Sequence, residues 1–145
     1  MNKIMKKDIV AGLGEIGMPI LKSISKKENA IGYDLDKKLM NENKFNKFQD
    51  KQTRFLHIAI PVTKKFNSNV LKLYKQFMPE CIVIHSTISP GTTNQLQKKL
   101  KIPVIFSATR GVHKRMLKDL KRYTKFFAIS DLAPKKQWAI KTFSK

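Results

Sequence analysis

Residues 10–17 read V-A-G-L-G-E-I-G, so Gly12, Gly14 and Gly17 stand at G-x-G-x-x-G spacing behind the apolar run Ile9-Val10-Ala11. In such a spacing each glycine has its own job. Gly12 permits a tight turn out of a strand, and Gly14 presents no Cβ to an approaching phosphate. Gly17 lets the next helix sit close to the sheet, with its N-terminal N–H groups and partial positive charge turned toward an anion. A second apolar run, Ala30-Ile31-Gly32-Tyr33, ends in Asp34, 22 residues after Gly12, where a carboxylate meets ribose hydroxyls. The chemistry this predicts is the holding of a nicotinamide dinucleotide.

Other reactive side chains are sparse. Cys81 is the sole cysteine, which rules out an intrachain disulfide and a cysteine-based metal cluster. It opens the apolar run C-I-V-I-H and reads as a small buried thiol. His57, His85 and His113 have no ligand spacing, so no metal is expected.

At 145 residues the chain fits one domain, 1–145, long enough to bury about two thirds of its unfolded surface. No substrate domain is recognisable beside it. No apolar run approaches the roughly 18 residues needed to span a bilayer. The basic N-terminus reads as a lead into the first strand, so the expected location is the cytoplasm, with no membrane partner. The net charge is +20, carried mainly by lysine, with arginine only at 54, 110, 115 and 122. Two explanations stay open: a compositional bias of the coding genome, or a basic face that binds phosphates or nucleic acid.

Apolar runs alternate with amphipathic stretches, the signature of an α/β sheet with crossover helices. Strands are predicted at 8–11, 30–33, 55–60, 81–85, 104–106 and 125–129. Helices are predicted at 16–26, 65–78 and 92–100 and from 134 to the end, with one lysine-rich helix within 35–53. Near-continuous apolar strands imply a mainly parallel sheet covered by helices on both faces, a doubly wound Rossmann-type α/β fold. Ligands of such sheets bind beyond the carboxyl ends of the strands. The glycine loop, Asp34, Ile60-Pro61-Val62 and the turn Ser86-Thr87-Ile88-Ser89-Pro90-Gly91 all fall there.

The segments A-G-L-G-E-I-G, G-Y-D-L-D, H-I-A-I-P and above all H-S-T-I-S-P-G-T-T at 85–93 resemble the N-terminal NAD-binding domain of the UDP-glucose/GDP-mannose (nucleotide-sugar) dehydrogenase family. More broadly the chain is similar to the 6-phosphogluconate and 3-hydroxyisobutyrate dehydrogenases. The resemblance covers about residues 8–107. It implies pyrophosphate binding by Gly12, Leu13, Gly14, Glu15, Ile16 and Gly17, and ribose binding by Asp34. Asp34 also repels a 2′-phosphate, favouring NAD over NADP, while Lys37 and Lys38 act in the opposite sense. Pro61 and Ser86 fall in segments lining the cofactor cleft, and Thr87 matches a threonine near the nicotinamide that can hydrogen-bond a catalytic water or a substrate oxygen.

The departures matter as much. Where the family has a glutamate after the next strand, this chain reads Ser107-Ala108-Thr109-Arg110-Gly111. Its catalytic lysine, asparagine and cysteine belong to a later domain with no counterpart here. Oxidising an alcohol to an acid needs a base and a nucleophile, so the chain is expected to be incomplete for catalysis alone and to work with another copy or a separate catalytic chain. Arg110, His113 and Arg115 are candidates for receiving an anionic substrate such as a sugar nucleotide. The alternative function is a non-catalytic nucleotide sensor or a nucleic-acid-binding module using the basic surface. Against the latter, the sequence has no RNP-type aromatic motif, zinc knuckle or helix-turn-helix.

Overall fold

The computed structural model describes residues 5–27, 29–107 and 127–144. The elements run β1 (Lys6–Ala11), α1 (Gly17–Ile24), β2 (Ala30–Tyr33), a 3-10 turn (Lys37–Leu39), α2 (Glu42–Phe48), β3 (Gln52–Ile58), α3 (Phe66–Phe77), β4 (Cys81–Ile84), α4 (Thr92–Lys99), β5 (Val104–Phe106), β6 (Ala128–Ile129) and α5 (Lys136–Phe143). Six strands form one sheet in the order β2-β1-β3-β4-β5-β6. The first five are parallel, and β6 closes the edge antiparallel to β5, pairing Ile105 with Ile129 and Phe106 with Ala128. The order reverses between β1 and β3, and such a reversal opens a crevice at the carboxyl edge. Among the described residues no helix is long and apolar enough to cross a membrane.

Both faces of the sheet are covered, as the apolar strands require. On one face Ile9, Ala11, Leu56, Ile58, Ile82, Ile84 and Val104 pack against Phe66, Val70 and Leu73 of α3 and Leu96 of α4, with Phe45 and Phe48 of α2 at the margin. The intervening residues point the other way, because side chains alternate along a strand. There Val10 meets Leu13 and Ile20, which seats α1. Phe55, Cys81, Val83 and Ile105 meet Ala139, Trp138 and Phe143, which seats α5. Trp138 stacks on Phe55 at 6.1 Å, so the last helix docks on its own sheet. Cys81 is fully buried, and burial beside Asp8 and Glu80 pushes its thiol well up, away from the reactive thiolate.

Element ends differ from expectation where side chains compete with the backbone. The region 35–53 is not one helix. The Asp36 carboxylate accepts the Lys38 N–H at 3.1 Å and the Asn41 side chain accepts the Lys44 N–H at 3.1 Å, each capping its own short element. The third strand starts earlier than residue 55 and ends at Ile58, while Ala59 still bonds back to the Ala11 carbonyl. The first helix starts one residue after Ile16 and ends at Ile24.

The amino ends of β1 and β3 are locked by charge. The pairing register slips between Lys7 and Ile9, so two residues of β3 face Asp8 alone. The 3 %-exposed Asp8 carboxylate fills that bulge, accepting the Phe55 N–H at 3.2 Å and a two-point bond from Arg54 at 2.8 and 3.1 Å. The Arg54 guanidinium in turn lies over the Phe55 ring. Removing a buried carboxylate that has such partners costs more than the pair itself contributes. Asp8→Ala is therefore expected to lower unfolding stability by about 2–4 kcal/mol, and Asp8→Asn by less, because an amide oxygen still accepts the Phe55 N–H. Urea unfolding midpoints of the two variants check this ranking.

Candidate nucleotide-binding site

Leaving β1, the chain turns at Gly12, whose φ is +94°, a left-handed backbone region that penalises a side chain. A Cβ at Gly12 would stand 2.6 Å from the Ala59 carbonyl oxygen, because the loop lies directly on the exit of β3. At Gly17 the constraint is harder: a Cβ would fall 1.6 Å from the Gly12 carbonyl oxygen. Helix α1 can begin there only because that atom is missing. Gly14 is the opposite case. It is exposed, and a Cβ on it would meet nothing within 4 Å. Two glycines of the motif are thus demanded by the protein's own packing, and the third faces open space.

Asp34, just past the end of β2, is joined to this loop. Its Oδ2 accepts the Leu13 N–H at 2.8 Å and its Oδ1 accepts the Asp36 N–H at 2.8 Å. Each carboxylate oxygen keeps a further acceptor direction. Gly12 also donates to the Tyr33 carbonyl at 2.9 Å, so the β1 and β2 exits are stitched together twice. Helix α1 has no side-chain cap and no acid in its first turn, which leaves the positive end of its dipole facing the loop. Leu13 is buried under the loop, Ile16 is partly buried, and Glu15 is exposed.

The next two strand exits complete the edge. Pro61 is exposed beyond β3, and Thr87 is exposed beyond β4. Ser86 is 5 % exposed, and its hydroxyl donates to the Ile60 carbonyl at 2.7 Å, tying the two exits to each other. Gly12, Leu13, Gly14, Glu15, Ile16, Gly17, Asp34, Pro61, Ser86 and Thr87 therefore all lie at the carboxyl ends of adjacent parallel strands. Arg110, His113 and Arg115 lie outside the described residues.

The structure also joins two histidines that spacing alone did not. His57 of β3 and His85 beyond β4 are 4 % and 3 % exposed, with Nδ1 of one 2.8 Å from Nε2 of the other and their rings stacked at 5.1 Å. In that bond one ring must donate and the other accept. The signal was hidden in the register. His57 is level with Val83, so His85 falls two residues on and on the same face. Among the described residues no group of three or more metal-ligating side chains converges.

No family model matches the sequence, and no curated protein is matched to it. Solved structures do match in shape. The prephenate dehydrogenase from A. aeolicus, solved with hydroxyphenyl propionate and NAD+, superposes with a TM-score of 0.69 at 17 % identity, covering 99 % of this chain and 57 % of that one. A 3-hydroxyisobutyrate dehydrogenase from Mycobacterium tuberculosis, solved with L-serine, gives 0.59 at 14 % identity, over 87 % of this chain and 46 % of that one. This is a Rossmann-type α/β fold. The chain spans about half the length of these solved relatives of the fold.

The three glycines of this Rossmann loop make separable demands on stability. Gly17→Ala is expected to cost more than about 4 kcal/mol or to prevent folding, and Gly12→Ala about 2–4 kcal/mol, whereas Gly14→Ala stays within about 0.5 kcal/mol. Thermal and urea unfolding of the three variants measure the order.

Proposed function

We propose that this chain binds NAD across the carboxyl edge of its sheet and forms the cofactor half of a dehydrogenase. The observation that carries the reading is Gly14. In a loop where both other glycines are explained by internal close contact, the one glycine without an internal reason is exposed at the mouth of a helix dipole. A phosphate needs that position bare. The residues present fit the group. The loop and the start of α1 would hold the pyrophosphate, and Asp34 would take the ribose hydroxyls with the acceptor directions its two backbone bonds leave over. The prephenate dehydrogenase of the same fold carries NAD+, which supports the choice of nucleotide.

When bound, the nicotinamide supplies the hydride acceptor, and the protein supplies orientation and electrostatics. Leu13 and the Asp34 bond fix the glycine loop. The Ser86 bond to Ile60 fixes the turn that presents Thr87, whose exposed hydroxyl is placed to orient a substrate oxygen or a water.

We infer further that the substrate is an alcohol on a nucleotide sugar or a related hydroxy acid, from the S-T-I-S-P-G-T-T segment and its place beyond β4. Asp34 favours NAD over NADP by charge. A four-electron oxidation to the acid needs a nucleophile, and Cys81 is too deeply buried to provide one. The reaction is then completed by groups on further polypeptide, from another domain, another chain or a second copy, in the cytoplasm.

Calorimetric titration with NAD, NADH and NADPH tests the reading. The expected result is micromolar to sub-millimolar binding of NAD and NADH and weaker binding of NADPH. Gly14→Val should abolish binding while leaving the unfolding temperature unchanged. Asp34→Asn should weaken it by about tenfold to a hundredfold, the worth of a charged hydrogen bond. Binding that survives Gly14→Val undiminished would place the nucleotide elsewhere and sink the proposal.

A further inference from the structure

Among the described residues, the buried polar side chains of the strands and their exits gather at two places. Lys7, Asp8 and Thr53 lie at the amino ends, and His57, His85, Ser86 and Ser107 at the carboxyl ends. The amino-end charges are accounted for by the Arg54 bond of Asp8 and the carbonyls that hold Lys7. Packing alone does not account for the two histidines. The same face is apolar around them: Val10 and Val83 are level with His57 on either side, and Phe55, Cys81 and Ile105 share the layer. A pair of apolar side chains of similar shape would fill this place at little cost in stability.

What the pair adds is direction. His57 is level with Val83, yet its Nδ1 bonds Nε2 of His85, two residues further along β4, at 2.8 Å. Such a diagonal bond has a component along the strands and opposes sliding of one exit past the other. The neighbouring ties run across instead. The His85 N–H donates to the Ile58 carbonyl at 2.8 Å, and the Ser86 hydroxyl donates to the Ile60 carbonyl, level with it if the register continues. Each end of the diagonal leads to a wall of the crevice. His57 stands two residues before Ala59, against whose carbonyl the glycine loop lies so closely that a Cβ at Gly12 would be 2.6 Å away. His85 stands two residues before the exposed Thr87.

We propose that the His57–His85 bond is a brace that sets the offset between the glycine loop and the Thr87 turn, and so shapes the seat of the nicotinamide half of the dinucleotide. The inference rests on the NAD reading above. Both rings are buried too deeply to touch a ligand, so they act as positioning residues. A dinucleotide lies across the crevice where the strand order reverses. With its adenosine ribose at Asp34 and its pyrophosphate on the glycine loop, its other half extends over the exits of β3 and β4. The adenosine diphosphate half is then held at the exits of β1 and β2 and is indifferent to where β4 ends. The nicotinamide half is not, because the turn that faces it is carried by β4.

The test compares the affinities of the full chain for ADP and for NADH, by calorimetry, across three double variants. His57→Leu/His85→Leu removes the bond without leaving one ring facing an apolar group. His57→Asn/His85→Gln retains it, because an asparagine amide reaches the position of Nδ1 and a glutamine amide that of Nε2. His57→Gln/His85→Asn carries the same two amides at the wrong reach. The leucine variant and the exchanged variant should bind NADH about tenfold more weakly while ADP affinity stays within about twofold. His57→Asn/His85→Gln should keep NADH affinity within about threefold of the unaltered chain. The ratio of two affinities on one preparation does not depend on the fraction folded, and thermal melts verify that each variant folds. Equal weakening of ADP and NADH would reduce the pair to support of the fold and overturn the proposal. So would undiminished NADH binding by the leucine variant, or indistinguishable results from the two amide variants. An unaltered chain that binds ADP as tightly as NADH would overturn the brace and leave the glycine loop standing. One that binds neither would remove the NAD reading, and the brace with it.

Discussion

The close approach of α1 to the exits of β1 and β3 is the contact on which the rest of the molecule depends. Gly17 lies where its missing Cβ would collide with the Gly12 carbonyl, and Gly12 lies where its own would collide with Ala59. Helix, loop and neighbouring strand are thereby brought to backbone contact at the point where the strand order reverses. The dipole of α1 is aimed across the crevice because no side chain holds the helix away from the sheet. Asp34 adds the lateral tie, so the loop is fixed both beneath and beside.

The two edges of the sheet differ in how their polar groups are satisfied. At the amino edge, Asp8, Arg54, Lys6 and Glu80 form ion pairs, and the Lys7 ammonium donates to the Gln49 and Lys51 carbonyls. Burial holds the Lys7 ammonium below its usual range, with Asp50 acting in the opposite direction, and those two carbonyls replace part of its lost hydration. At the carboxyl edge the polar groups are arranged differently. Ser86 and the Asp34 carboxylate bond to backbone, which sets loop positions, while Gly14 and Thr87 remain exposed. Charge satisfied internally at one edge and accessible groups presented at the other is the division expected of an open parallel sheet with a ligand crevice.

Between the edges, the buried His57–His85 pair lies directly under the turn that carries Ser86 and Thr87. Polar groups this deeply buried survive only when hydrogen-bonded. Their mutual bond therefore constrains the relative placement of β3 and β4 near their exits, on the face that α1 and α5 cover.

Much of this was legible in the chain itself. Strand positions followed from continuous apolar runs, and the tight turn after β1 from glycine spacing. Those signals are local, set by periodicity and by which side chains water excludes. Boundaries were less legible between 35 and 53, because Asp36 and Asn41 decide them by bonding to particular amides. Other features depended on which strands pair and in what register, and a sequence does not state that pairing. The bulge at Asp8, the reversed direction of β6 and the meeting of His57 with His85 are of this kind. What the sequence determined by itself was the set of elements and the glycine loop that follows β1. Only the tertiary structure decided which of its three glycines is spare, because that depends on how near another backbone comes, a distance fixed by packing and not by spacing.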